Sequence, residues 1–214
     1  MSELNDPELQ SNVRSIGALV ADKAMHGQLK YKRQEHDLYE TPVWCTEALL
    51  PYLNHDFNIW EPACGRGAIV KCLRSRGFDV LATDKMAHLG TGEFTPDALW
   101  DFIKDSPVTA AQSFLAKTPR SIVTNPPYKN SKEFVSTACS YARYMKTEVA
   151  MLLRLEWQSA KKHAQLMDEV DTVVVLRKRP RWIVDSTGSP RHNYAWYIWD
   201  YSQPPTPAAL KFAA

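Results

Sequence analysis

In the stretch SIVTNPPYKN, residues 121–130, a short apolar run is followed by an asparagine, two prolines and a tyrosine. Pro126 and Pro127 lack a backbone N–H and have a fixed φ, so they end a central strand rather than continue it. They hold the chain rigidly just past the strand's carboxyl end, where ligands bind in open α/β sheets. Asn125, a polar amide, and Tyr128, an aromatic face, are then presented in a fixed pose. A second such stretch is EPACGRGAIV, residues 61–70. Gly65 and Gly67 let the backbone approach a ligand closely, and the helix that follows offers unpaired N–H groups. No Gly-Lys-Ser/Thr follows, which excludes a P-loop, and the spacing is not that of GxGxxG. Asp84 closes the next apolar run, placed to accept hydrogen bonds from ribose hydroxyls. A helix cap and a turn aspartate are the plainer alternative; the strand–turn–helix–strand–aspartate context favours a ligand. A third stretch, residues 176–192, carries Arg177, Lys178, Arg179, Arg181 and Arg191 against Asp185, with Trp182 in its middle. Cations for phosphates and an indole for base stacking make a nucleic-acid contact. A solvated loop with a stray tryptophan has the same composition.

The elements that must position these residues alternate along the chain. FNIWEPA reads as a short buried strand, AIVKCLRSRG as a helix stopped by Gly77, and FDVLATD as a second strand. SIVTN is a strand, SKEFVSTACSYARYMK a helix begun by a serine cap, and EVAMLLRL a strand. QSAKKHAQLMDEV is a helix, TVVVLRK a strand, and NYAWYIWD a final strand. Ahead of these, VWCTEALLPYL has the apolar spacing of an amphipathic helix, strained near its end by Pro51. Between residues 86 and 112 lie turn signals and one short helix, ALWDFIKD, and SFLA reads as a short strand. This alternation predicts an α/β fold, doubly wound, with a mostly parallel sheet covered on both faces. The last two strands are joined by a loop without a helix, so they are expected to be antiparallel neighbours. Three regions follow: a helical arm over 1–36, one catalytic domain over 37–201, and a Pro-rich tail over 202–214 expected to be extended or mobile.

Bulk properties bound the partners. The 214 residues are 44% hydrophobic and 23% charged, which suits a soluble single domain with a full core. No apolar run reaches the length of about 18 that a transmembrane helix needs, and the polar, acidic start argues against a signal peptide. A cytoplasmic location, in a bacterial cell or in its host if phage-encoded, and no membrane partner are expected. Cys45, Cys64, Cys72 and Cys139 show no CxxC pair and no His spacing, so reduced thiols and no metal are expected. A net charge of +2 implies no global electrostatic funnel.

DLYETP (37–42), EPACGRGAI (61–69) and NPPY (125–128), in that order, resemble the motifs of amino-methylating S-adenosylmethionine-dependent methyltransferases. Among these the chain is most similar to bacterial and phage DNA adenine-N6 methyltransferases, over residues 37–199. The resemblance implies a Rossmann-like methyltransferase fold, seven-stranded with an antiparallel last strand, and S-adenosyl-L-methionine as cofactor. By matching position, Thr41 and Pro42 would line the methionine end of that cofactor with Tyr39 packed beside them. Glu61, Ala63, Gly65 and Gly67 would form the glycine-loop cradle, with Glu61 near the amino group. Asp84 would be the ribose acid and Met86 would pack on the adenine ring. Where the family often has Asp-Phe-Leu ahead of the proline knot, with the aspartate on the adenine amine, this chain has Ser113, Phe114 and Leu115. Either Ser113 makes that bond or Asp101 replaces it; spacing favours Ser113.

The catalytic residues implied are Asn125, Pro126, Pro127 and Tyr128. An exocyclic amine of adenine is a poor nucleophile because its lone pair is delocalised into the ring. The Asn125 side-chain carbonyl and the Pro126 main-chain carbonyl would each accept one N–H and aim that lone pair at the methyl group. Tyr128 would stack on a base that is flipped or already single-stranded, with Trp182 as a second wall. Lys129, Arg179, Arg181 and Arg191 would meet phosphates. Segments free for target recognition are short, so the expectation is low or short-site specificity, or recognition supplied by a second subunit or a homodimer. DNA is the expected partner, with RNA or a protein glutamine as alternatives on the same fold, and a non-catalytic binding subunit as the alternative from another class.

Overall fold

Strands in the centre of a parallel sheet are covered on both faces and need side chains that are apolar in both directions. The runs NIWE, VLATD, RSIVT and EVAMLLR meet that need, and each is buried along most of its length. The computed structural model describes residues 38–54, 58–88, 94–105, 120–182 and 189–213. All lie in one compact unit, His36–Ala214. The N-terminal arm and the SFLA segment fall outside the described residues.

The strands are β1 (Asn58–Glu61), β2 (Val80–Asp84), β3 (Ala98–Leu99), β4 (Arg120–Thr124), β5 (Glu148–Arg154), β6 (Thr172–Leu176), β7 (Tyr194–Asp200) and β8 (Ala209–Ala213). They form one sheet in the order β3-β2-β1-β4-β5-β7-β6-β8. β1 pairs in parallel with both β2 and β4, so the chain order reverses there. β7 runs antiparallel between β5 and β6, as the helix-free loop before it predicts. Among the described residues the sheet has eight strands rather than seven. The eighth comes from the tail, expected to be extended or mobile: residues 209–213 pair in parallel with β6. The prolines at 204, 205 and 207 cannot donate to a ladder, but ALKFA carries every N–H needed to join the open edge.

Helices α1 (Val43–Glu47) and α2 (Ala68–Ser75) lie on one face of the sheet, and α3 (Ser131–Met145) lies on the other. β7 shows the two-sidedness: Tyr194, Trp196 and Ile198 join the core of α1 and α2, while Ala195, Tyr197 and Trp199 join that of α3. The two indoles of β7 satisfy their N–H groups on backbone carbonyls, Trp196 on Cys45 and Trp199 on Leu166, both at 2.7 Å. The four cysteines are free and buried.

Several local expectations are corrected. VWCTEALLPYL is helical only to Glu47 and then turns through a 3-10 segment, Leu50–Tyr52, with Pro51 inside it. Ser131 is the first residue of α3 rather than its cap; its Oγ accepts the indole N–H of Trp157 at 3.2 Å. ALWDFIKD is not a helix. Ala98 and Leu99 take the free edge of β2, and Asp101 then folds the chain into a turn, its Oδ1 accepting from the N–H groups of Ile103 and Lys104. QSAKKHAQLMDEV breaks into 3-10 turns and a short α4 (Ala164–Met167).

Candidate active site

The carboxyl ends of β1, β2 and β4 meet where the strand order reverses, the place where an open α/β sheet leaves a crevice. A cavity of about 330 Å³ lies there. Its wall takes Glu61 from the end of β1, Ala63 and Gly65 from the glycine turn, Asp84 from the end of β2, and Asn125 and Pro127 from beyond β4. Tyr39 and Thr41 enter it from the DLYETP segment, and Trp100, Asp101, Phe102 and Ile103 from the turn after β3.

β4 delivers Asn125, and Pro127 leaves it in an extended conformation (φ −55°, ψ 125°) before a 3-10 turn over Tyr128–Asn130. The Asn125 amide Nδ2 donates to Thr41 Oγ1 at 3.1 Å. Its Oδ1 is sealed from solvent and has no hydrogen-bond partner among the described residues. Thr41 is itself only 5% exposed. One side chain thus holds the amide by its nitrogen and leaves its oxygen as an open acceptor. An orphaned buried acceptor costs about 1–3 kcal/mol, and a donor brought by a ligand would relieve that cost. Pro126 is buried but does not line the cavity.

Glu61 is a second orphan. It is 1% exposed, lines the cavity, and leaves Oε2 without a partner among the described residues. Burial pushes its carboxyl well above the ordinary carboxylate range, and the charge of Asp84 adds to the effect. Asp84 is spoken for differently from expectation. Its Oδ2 accepts the Gly65 N–H at 2.9 Å, and Oδ1 accepts the Met86 N–H at 3.3 Å and lies 3.4 Å from His88 Nε2. The acid therefore pins the glycine turn, and only its remaining lone pairs face a ligand.

The glycines divide their work. Gly65 (φ +52°) lines the cavity, and a Cβ there would reach 3.0 Å from Leu38 Cδ1. Gly67 (φ +77°) caps α2 and lies off the cavity; a Cβ there would strike the Phe94 ring at 2.5 Å. Phe94 and the positive φ each favour glycine there. Pro42 and Met86 also lie off the cavity wall: Pro42 starts α1, and the Met86 backbone serves Asp84. Ser113 and Phe114 fall outside the described residues, whereas Asp101 and Phe102 are on the wall.

Beside Tyr39 stands an aromatic enclosure that sequence reasoning found only in part. Tyr128 has its ring centroid 6.0 Å from Tyr39, 6.4 Å from Trp182 and 6.2 Å from Tyr194, and Trp182 lies 5.0 Å from Tyr194. The Tyr128 hydroxyl and the Trp182 indole nitrogen are sealed from solvent and unpartnered among the described residues. Burial raises the Tyr128 phenol well above its usual value, followed by the influence of Tyr194. Tyr194 was legible only as one aromatic in a strand. The basic loop is also divided: Arg179 ties it down, donating to Asn193 Oδ1 at 2.9 Å and to the Pro190 carbonyl at 3.3 Å. Lys129, Arg181 and Arg191 are exposed.

No protein-family model matches the chain, and no curated protein matches it. Among solved structures it is similar to a TehB-like SAM-dependent methyltransferase from Corynebacterium glutamicum, with 12% identity and a TM-score of 0.46 over 89% of this chain and 98% of that one.

Proposed function

We propose that this chain is an S-adenosylmethionine-dependent methyltransferase acting on the exocyclic N6 amine of adenine in DNA. The observation that carries the reading is Asn125: its amide is clamped by Thr41 and its carbonyl oxygen is left open at the end of a central strand. An amine N–H is the donor such an oxygen lacks. Accepting it draws electron density back onto nitrogen and steadies the positive charge that develops there, without a strong base. The two prolines keep the acceptor in register.

The residues on the wall fit the cofactor. A cavity of about 330 Å³ falls at the lower end of the small-molecule range of about 300–1,000 Å³. Glu61, buried and unsatisfied, suits a cationic group; Gly65 lets the ligand approach the backbone; Asp101 and Phe102 offer an acceptor and an apolar face to a purine. When bound, S-adenosylmethionine supplies an electrophilic methyl carried on a sulfonium. Asp101, the alternative to Ser113, would supply the acceptor for the adenine amine from the cavity wall.

Tyr128 and Trp182 pack on the buried Tyr194 close to the cavity-lining Tyr39, and their partly exposed rings offer aromatic faces to a base taken out of the stack. Stacking on such rings returns about 1–3 kcal/mol per base against the cost of unpairing. The test is transfer of tritiated methyl from S-adenosylmethionine to DNA, RNA and protein, followed by nucleoside and amino-acid analysis. Label in N6-methyladenine of DNA is expected. Label confined to RNA or to protein glutamine would overturn the substrate, and no transfer at all would overturn the reaction.

A further inference from the structure

Two groups of arginines stand apart among the described residues. Arg66, Arg74, Arg76, Arg120 and Arg143 each face a carboxylate, respectively Glu40, Asp97, Glu47, Asp79 and Glu169. Arg154, Arg177, Arg179 and Arg191 have no carboxylate within 4.0 Å among the described residues. The second group is not scattered. Arg154 ends β5 and Arg177 follows β6, two strands that run the same way because both oppose β7, and the other two lie in the loop that leads into β7. Guanidinium groups with no acid beside them among the described residues are thus gathered at the carboxyl edge of the sheet, the edge that also presents Asn125.

Within this group Arg154 is the one built against the candidate site. It is the only exposed residue of an otherwise buried strand, paired across the sheet with Tyr194. Its guanidinium lies 5.4 Å from the centroid of the Tyr128 ring. A planar cation on an aromatic face keeps its N–H fork free at the ring's edge, ready for a bidentate anion. A phosphate is the anion that lies next to a base.

We infer that Arg154 is a substrate-binding residue that grips a backbone phosphate of the nucleic-acid strand whose base enters the Tyr128 enclosure. The inference rests on the methyltransferase reading and specifies its substrate: a polynucleotide rather than a side-chain amide, because a lone amide brings no adjoining phosphate. His192 reports the same concentration of charge. It is pushed below the ordinary imidazole range by burial and by Arg154, Arg191 and Arg179, with Glu156 opposing.

The test is binding of a fluorescein-labelled, adenine-containing single-stranded oligodeoxynucleotide, read by anisotropy across a salt series, for wild type, Arg154→Gln and Arg154→Lys. Steady-state methyl transfer to the same strand is measured alongside. For Arg154→Gln, binding weakens by about tenfold at low salt, and the slope of log K on log salt becomes shallower by about 0.7, one single-strand phosphate contact. KM for the strand rises while kcat changes little. Arg154→Lys keeps the slope and loses part of the affinity, since it keeps the charge without the planar stack. Calorimetric affinity for S-adenosylmethionine and the thermal midpoint stay at wild-type values. An unchanged slope in Arg154→Gln overturns the inference: a residue that only props Tyr128 weakens binding equally at every salt concentration. A wild-type protein that labels protein but binds no oligonucleotide overturns the substrate reading and this inference together. Transfer to DNA with wild-type behaviour in Arg154→Gln overturns the inference alone.

Discussion

Replacing Thr41 by valine removes one hydroxyl and almost no volume, and it addresses the contact on which the candidate site turns. The hydrogen bond from Asn125 Nδ2 to Thr41 Oγ1 is 3.1 Å long and partly buried, and it joins residues 84 apart in sequence. A neutral bond of this kind contributes about 0.5–1.5 kcal/mol net. Without it the amide of Asn125 has no reason to keep its nitrogen toward Thr41, and its oxygen loses a defined direction. The loss of an entire preorganised acceptor costs about 2.7–4 kcal/mol in comparable sites, about 10²–10³ in kcat, and Asn125→Ala should behave so. Thr41→Val leaves the acceptor present but unaimed, so its cost is set by the orienting bond: about 1 kcal/mol, or roughly five- to tenfold in single-turnover methyl transfer. The two side chains act as one unit, so Thr41→Val in an Asn125→Ala background should cost almost nothing further. The assay is single-turnover transfer at saturating nucleic acid for the four proteins of the cycle. Strictly additive losses would refute the argument, since Thr41 would then act on the cofactor or on the fold and not through Asn125.

Glu148 is buried at the start of β5, with Oε1 accepting the Asn54 N–H at 2.9 Å, and burial, helped by Asp200, raises its carboxyl to about 7. A carboxyl raised in the folded state binds its proton more tightly there than when unfolded, so stability falls as pH rises from the unfolded value through 7. The penalty at alkaline pH is on the order of 3 kcal/mol and vanishes below about pH 4.5. Glu148→Gln should therefore raise Tm at pH 8 and not at pH 4.5, and an equal shift at both would contradict the linkage. Gly67→Ala places a Cβ at φ +77° against the Phe94 ring and should destabilise by about 1–3 kcal/mol, read as a fall in Tm of several degrees. Adding Phe94→Ala should recover the steric part, and no recovery would show that φ alone matters. Asp101→Asn should weaken calorimetric binding of S-adenosylmethionine by about tenfold while Ser113→Ala leaves it unchanged; the opposite pattern returns the adenine contact to Ser113.

What the sequence determined by itself was local. Runs apolar in both directions can only be central strands, and strands alternating with amphipathic helices can only close as a covered parallel sheet, so the doubly wound class was legible before any coordinate. The glycine turn, the strand-end aspartate and the proline knot were legible for the same reason: each is a rule about φ, about a missing N–H, or about one strand's end. The partners of those residues were decided only when distant segments met. That Asp84 pins the N–H of Gly65, that Gly67 makes room for Phe94, and that Thr41 turns the amide of Asn125 are contacts across 15 or more positions, and periodicity carries no information about them. The same holds for ALWDFIKD, whose helical composition yielded to the open edge of β2, and for the tail, where ALKFA found the unpaired edge of β6. An unfilled ladder offers hydrogen bonds that local propensity cannot foresee. Arg154 read as an ordinary strand end, and only the fold sets its guanidinium on Tyr128, with no acid beside it among the described residues.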